Sequence, residues 1–235
     1  DEFMEAVGKG LEWKTYPINN PELAEKMPKY PAKDLFRAIA KGTHACGDPG
    51  IQYDTTINRW HTCHNSGRIN ASNPCSEYMF IDDSSCNLAS LNLMKFRKKD
   101  RSFDFVKFGR VIDIMFLAQE MLYDFSSFPE MKIAENSHRF RPIGLGFANM
   151  GALLMSWGVP YESDEGRAIA STITSFMTAR AYNASLKIAK RMGPFKEFKK
   201  NKEPMLKVIE MHKNASRGID VSKLHLNEQI NPGEA

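Results

Sequence analysis

The stretch Asn73-Pro74-Cys75-Ser76-Glu77 sets an amide, a thiol and a carboxylate at every second residue, and a further thiol, Cys86, follows a short reach away. In an extended backbone, side chains at i, i+2 and i+4 point to one side. Asn73, Cys75 and Glu77 would then converge on one small volume, where a sulfur has a hydrogen-bonding amide and an acid or base beside it. A strand that only filled a core would not choose Asn and Glu for the face it shares with Cys. Two plainer accounts compete. A free Cys is among the most buried residue types and often only packs, and Asn73-Pro74 can simply make a turn that leaves Glu77 solvated. Spacing alone does not decide between them.

Other candidate chemistry is weaker. His44, Cys46, His61 and Cys63 are residue types that zinc takes, so a zinc-stabilised binding module is one expectation. Against it, the chain has no C-x-x-C and its Cys-to-Cys intervals are long and irregular. Gly144-Leu145-Gly146-Phe147-Ala148-Asn149-Met150-Gly151 superficially matches a dinucleotide glycine pattern, but the spacing is off. Glycines that permit close helix packing explain it better. The basic run Lys187, Lys190, Arg191, Lys196, Lys199, Lys200 and Lys202 reads as a solvated face. It offers only Phe195 and Phe198 as interleaved aromatics, too few for a nucleic-acid surface.

The elements that must position the thiols follow from periodicity. Residues 1–32 are rich in Pro and charge and read as a surface loop or hairpin. Leu35, Phe36, Ile39 and Ala40 recur at helical spacing and predict a short helix over Asp34 to His44. Residues 54–76 lack a clean period and read as an ordered loop, a feature that is usually functional when it is not disordered. Tyr78–Ile81 and Asn87–Leu93 are the strand candidates. Asp104 can cap a helix to about Phe125, with Phe108, Val111, Ile112, Met115, Ala118 and Leu122 on one apolar face. Arg141 to Gly146 reads as a glycine-rich entry to a helix ending near Trp157-Gly158. Ser163-Asp164-Glu165 opens another helix that Gly193-Pro194 stops, with Ile169, Ile173, Phe176, Ile188 and Met192 on its buried side. A last short helix spans Pro204 to Lys213. Strands and an irregular loop first, then helices, point to an α/β fold with a helix-rich second half.

Composition excludes several classes. The chain has 235 residues, 42% hydrophobic and 26% charged, which is enough to bury a core. A net charge of +4 is compatible with anionic substrates and far from an electrostatic case for nucleic acid. No apolar run approaches membrane-spanning length, and the first residues, Asp1-Glu2-Phe3-Met4-Glu5, are acidic rather than signal-like. A cytoplasmic protein with reduced thiols is the expectation. The start lacks an initiator Met and reads as mid-helix, which suggests a piece of something longer.

Asn73-Pro74-Cys75-Ser76-Glu77-Tyr78-Met79-Phe80, then Asp82-Asp83 and Cys86-Asn87-Leu88-Ala89-Ser90-Leu91-Asn92-Leu93, resembles the finger loop of ribonucleotide reductases, most closely the adenosylcobalamin-dependent class II enzymes. Flanking segments agree: Ala45-Cys46-Gly47-Asp48-Pro49-Gly50 upstream and Arg141-Pro142-Ile143-Gly144-Leu145-Gly146 downstream. The resemblance covers most of the chain to about residue 217.

It implies radical reduction of ribonucleotides to 2′-deoxyribonucleotides. Cys75 would carry the thiyl radical that takes the ribose 3′-hydrogen, Glu77 would act as base on the 3′-hydroxyl, and Asn73 would hydrogen-bond the sugar. Pro74 and Ser76 would line the substrate pocket, and Cys86 would supply reducing equivalents as half of a dithiol whose partner lies upstream in the family. The implied fold is part of a ten-stranded α/β barrel. Residues 1–235 would form a partial barrel domain, with the finger loop over about 70–93 and a helical part over about 103–213. The implied cofactor is adenosylcobalamin and the implied reductant a dithiol such as thioredoxin, with no resident metal and no nucleic-acid or membrane partner. The family is often dimeric, so a homodimer stays open. Half a barrel leaves open strand edges, so the isolated piece is expected to be inactive. The large subunit of a class I enzyme, which receives its radical from a separate metal-containing subunit, is the nearest alternative.

Overall fold

Side-chain caps mark where the two longest helices begin. In the computed structural model, which describes residues 1–224, α4 spans Phe105–Phe125 and α7 spans Asp164–Met192. Asp104 accepts from the Lys107 N–H at 2.9 Å, and Ser163 Oγ accepts from the Gly166 N–H at 3.0 Å, so each satisfies an otherwise orphaned helix donor. The residues fall into two units, Asp1–Trp60 and the remainder from His61.

The first unit holds α1 (Glu2–Lys9), β1 (Glu12–Lys14), β2 (Lys29–Pro31), α2 (Ala32–Cys46) and α3 (Asp54–Arg59). The two strands pair antiparallel with Trp13 opposite Tyr30, which is the hairpin that the sequence predicts, preceded by a helix that it does not. The predicted helix over 34–44 is present and extends by a few residues at each end.

The second unit is a mixed α/β arrangement. β3 (Asn87–Asn92) and β4 (Ile143–Ala148) pair in parallel, Asn87 opposite Ile143, joined through α4 and α5 (Met131–Phe140). Among the described residues this sheet has two strands and no closed barrel. α6 (Met150–Trp157) follows β4, and α7 and α8 (Phe198–Arg217) complete the unit. The core gathers Leu91 of β3, Leu93 just beyond it, Phe105, Phe108 and Ile112 of α4, Leu153 and Leu154 of α6, and Ile169, Ile173 and Met177 of α7. A bidentate Arg180–Asp113 pair, at 2.9 and 2.8 Å, links α7 to α4 beside that core.

The structure corrects several sequence expectations. Tyr78–Ile81 is not a strand; it contributes one isolated bridge, Ser72 to Met79. Arg141–Gly146 enters a strand, β4, rather than a helix, because its glycines answer to a neighbour across the sheet instead of to local propensity. Met192 is 78% exposed, and in the last turns of α4 the buried positions are Gln119 and Tyr123, not Ala118 and Leu122. The final helix is longer than predicted and tolerates Pro204 inside it.

Candidate active site

The Cys75 segment is a tight turn. The Ser76 N–H donates to the Asn73 carbonyl at 3.0 Å, and Ser76 itself has φ 65°, a left-handed conformation that is uncommon for a residue with a Cβ. The strand alternation that would gather Asn73, Cys75 and Glu77 on one face is therefore not the local geometry. Instead the turn sets Cys75 in an exposed position near its apex. Asn73 Oδ1 accepts from the Tyr78 N–H at 3.0 Å, closing the loop from inside and leaving the Nδ2 donors for another partner. Pro74, Ser76 and Glu77 are exposed with the thiol.

The base of this loop is anchored. Ile69 and Ile81 are buried, and Asn70 Nδ2 donates to Asp82 Oδ2 at 2.7 Å across the neck. Phe80 packs edge-on against Phe140 of α5 at 5.4 Å and against His61 at 5.7 Å. Asn201 of α8 is fully buried; its Nδ2 donates to Ser66 Oγ at 2.7 Å and its Oδ1 accepts from the Asn65 N–H at 3.0 Å.

Cys86 is seated differently. It is half-buried just before β3, and burial pushes its thiol up to about 11, with the nearby Glu77 carboxylate adding to the rise. At neutral pH it stays a protonated thiol. Among the predicted site residues, Glu77 and Cys86 are thus brought within electrostatic reach. A Cβ at Gly144 would come within 2.8 Å of Cys86 Sγ and overlap the Leu88 side chain, so only glycine fits opposite the sulfur. Of the two β4 glycines, Gly144 serves this approach.

A polar frame around Cys86 escaped the sequence reading. Gln119, fully buried on α4, donates from Nε2 to the Asn87 carbonyl at 2.8 Å and the Gly144 carbonyl at 2.9 Å, bracketing both strands. Asn87 Nδ2 returns a bond to the Gln119 carbonyl at 2.8 Å. The Tyr123 phenol donates to the Pro142 carbonyl with the Ser85 carbonyl a longer 3.3 Å away, and burial raises its pKa to about 12. Arg141 pairs with Glu120 and, at 2.9 Å, with Asp124, and its guanidinium lies over the Tyr123 ring. The available signal was a spacing one: Glu120 and Asp124 are four apart, as are Gln119 and Tyr123.

The zinc expectation is not favoured. Among the described residues no three His, Cys, Asp or Glu gather to hold a metal. His61 is buried with Nδ1 accepting from the Cys63 N–H at 3.3 Å and Nε2 placed 3.0 Å from the Gly67 carbonyl, so Nε2 carries the proton and neither nitrogen is left to ligate. Burial holds its pKa below the usual histidine value, and His64 pushes the same way. Cys63 is buried in the apolar cluster with Ile81 and Phe140, its thiol pushed up to about 11 by burial. No helix among the described residues is long and apolar enough to cross a membrane.

Residues 1–231 match the family described as ribonucleotide reductase, barrel domain, and the chain belongs to that family. It is 49% identical over 220 residues to the vitamin B12-dependent ribonucleotide reductase of Rhodopirellula baltica, an overlap of 94% of this chain and 21% of that protein. The protein of the same name from Streptomyces avermitilis is 47% identical, over 92% of this chain and 22% of its own length. The vitamin B12-dependent ribonucleoside-diphosphate reductase of Mycobacterium tuberculosis is 34% identical, over 84% of this chain and 28% of its own length. The chain thus spans between 21% and 28% of the length of these relatives.

Proposed function

We propose that this chain is the central part of the catalytic chain of a B12-dependent ribonucleotide reductase, its two parallel strands belonging to a ten-stranded barrel around the Cys75 loop. The observation that carries the reading is the contrast between an exposed thiol on a constrained turn and a half-buried, protonated thiol whose pKa burial and the Glu77 carboxylate raise. Names borne by the relatives support the cofactor and the nucleotide substrate.

In this reading the Cys75 thiyl takes the 3′-hydrogen of the ribose and becomes a thiol again. Glu77 takes the 3′-hydroxyl proton, a task that needs reach as well as basicity. Asn73 holds the sugar through its Nδ2, the side of the amide that the loop leaves open. Pro74 and Ser76 line the pocket at the turn. The 2′-hydroxyl leaves as water with a proton from the Cys86 thiol, and the two electrons come from Cys86 and a second thiol, which end as a disulfide. Cys75 then returns its hydrogen atom to C3′ and is a thiyl once more. A raised thiol pKa keeps the Cys86 proton in place until it is needed. A dithiol protein such as thioredoxin then restores the pair, in keeping with a cytoplasmic enzyme.

Adenosylcobalamin, when bound to the complete enzyme, supplies the radical equivalent that makes the Cys75 thiyl. Full-length protein with adenosylcobalamin, dithiothreitol and ribonucleoside di- or triphosphates is expected to form deoxyribonucleotides. No product with the cofactor, or equal product without it, would overturn the reading.

A further inference from the structure

Cys86 is held through the carbonyl that precedes it. The Ser85 oxygen accepts from the Tyr78 phenol at 2.9 Å, while the Tyr123 oxygen lies 3.3 Å away with its single proton turned mainly to the closer Pro142 carbonyl. Tyr123 stands on α4, within the frame. Tyr78 stands on the thiol loop, next to Glu77. The Tyr78 oxygen also lies 2.9 Å from Ser84 Oγ, whose own proton goes to the Ile81 carbonyl at 2.5 Å. The Tyr78 N–H meanwhile donates to Asn73 Oδ1 at 3.0 Å. One residue therefore grips the loop amide with its backbone and the Cys86 turn with its side chain. Its ring is half-buried and lies 6.2 Å from that of Phe80, so these bonds form where water competes poorly.

We propose that Tyr78 is a positioning residue that sets the spacing between the Cys75–Glu77 turn and Cys86, acting through Asn73 and the Ser85 carbonyl without touching the nucleotide. Its catalytic consequence rests on the reductase reading; its structural consequence does not. Removing the phenol oxygen leaves Ser85 with only the long 3.3 Å approach of Tyr123, on the frame side, and uncouples the Cys86 turn from the loop. The ring that packs beside Phe80 stays in Tyr78→Phe, so the change isolates the hydrogen bonds.

The test uses the full-length enzyme, Tyr78→Phe and Ser84→Ala, with Cys86 alkylation by iodoacetamide followed by peptide mass mapping across pH. Tyr78→Phe is expected to speed Cys86 alkylation about tenfold at pH 8, the effect of a one-unit fall in thiol pKa on the thiolate fraction. Ser84→Ala, which keeps the ring and the Ser85 bond, shifts the same profile by a smaller factor and carries the test if Tyr78→Phe fails to fold. In the reductase assay kcat of Tyr78→Phe falls on the order of 10- to 100-fold with KM for the nucleotide unchanged, as expected of a misplaced reacting group. An unaltered alkylation profile in the folded variant overturns the proposal whatever the reductase assay reads. So does a shifted profile with wild-type kcat. A shifted profile in a protein whose wild type makes no deoxynucleotide supports the positioning role and overturns the reductase reading instead.

Discussion

Cys75 stands exposed on a turn closed by its own neighbours, the Asn73 carbonyl and the Asn73 side chain. Cys86 is wedged over Gly144, follows a carbonyl held by the Tyr78 phenol, and enters strands bracketed by the buried amide of Gln119. The loop presents its sulfur; the frame conditions its own. A thiol that must meet something arriving from elsewhere needs access and a stiff backbone. A thiol that must keep its proton needs burial and a neighbouring negative charge, and Cys86 has both.

The contrast can be broken at the frame. Cys86→Ser in the full-length enzyme should cut reductant-dependent turnover on the order of 10³-fold or more, as loss of a reacting group does. The fold should survive, because the hydroxyl fits the space that Gly144 leaves. Steady-state turnover close to wild type would mean that Cys86 is merely packed. Gly144→Ala tests the tightness of the seat. The added methyl meets Cys86 Sγ at 2.8 Å, and overpacking of this kind costs about 1–3 kcal/mol. Urea unfolding should show that loss together with a fall in kcat, and a wild-type midpoint with full kcat would show the seat to be loose. Gln119→Leu strips a donor pair from the Asn87 and Gly144 carbonyls and should cost about 1–3 kcal/mol, with Cys75 exposure unchanged. A change in Cys75 alkylation there would show that loop and frame are not separately built.

The smallest effects are those of pH on stability. Cys63 and Cys86 are both raised from 9.0 to about 11, so the unfolded chain releases these protons first. Stability that is full below pH 9 should fall as pH rises towards 11. His61 is lowered from 6.5, so below that pH the unfolded chain takes up a proton that the folded one refuses, and stability should also fall on the acid side. Unfolding midpoints measured across pH check both limbs. A flat profile above pH 9 would mean that the two thiols are better solvated than their seats imply.

The sequence made the caps legible, because Asp104 and Ser163 act on donors three residues away and need nothing remote. It also made the thiol residues legible, because Asn73, Cys75 and Glu77 sit in one short segment. Their geometry was not. Alternation assumes an extended chain, and the Asn73–Ser76 turn removes that assumption. Gln119 and Tyr123 were hidden for a related reason. A hydrophobic stripe predicts burial from apolarity, and here the buried face of α4 turns polar where it must satisfy strand carbonyls. Gly144 reads as a breaker until Cys86 is seen opposite it.

The most direct measurement compares wild-type and Cys75→Ser full-length enzyme on a ribonucleotide carrying deuterium at the 3′ position. The wild type should reduce it more slowly than the unlabelled nucleotide, and Cys75→Ser should bind nucleotide yet form no deoxynucleotide. Reduction by Cys75→Ser at the wild-type rate would contradict the assignment of the exposed thiol as the group that opens the 3′ C–H bond.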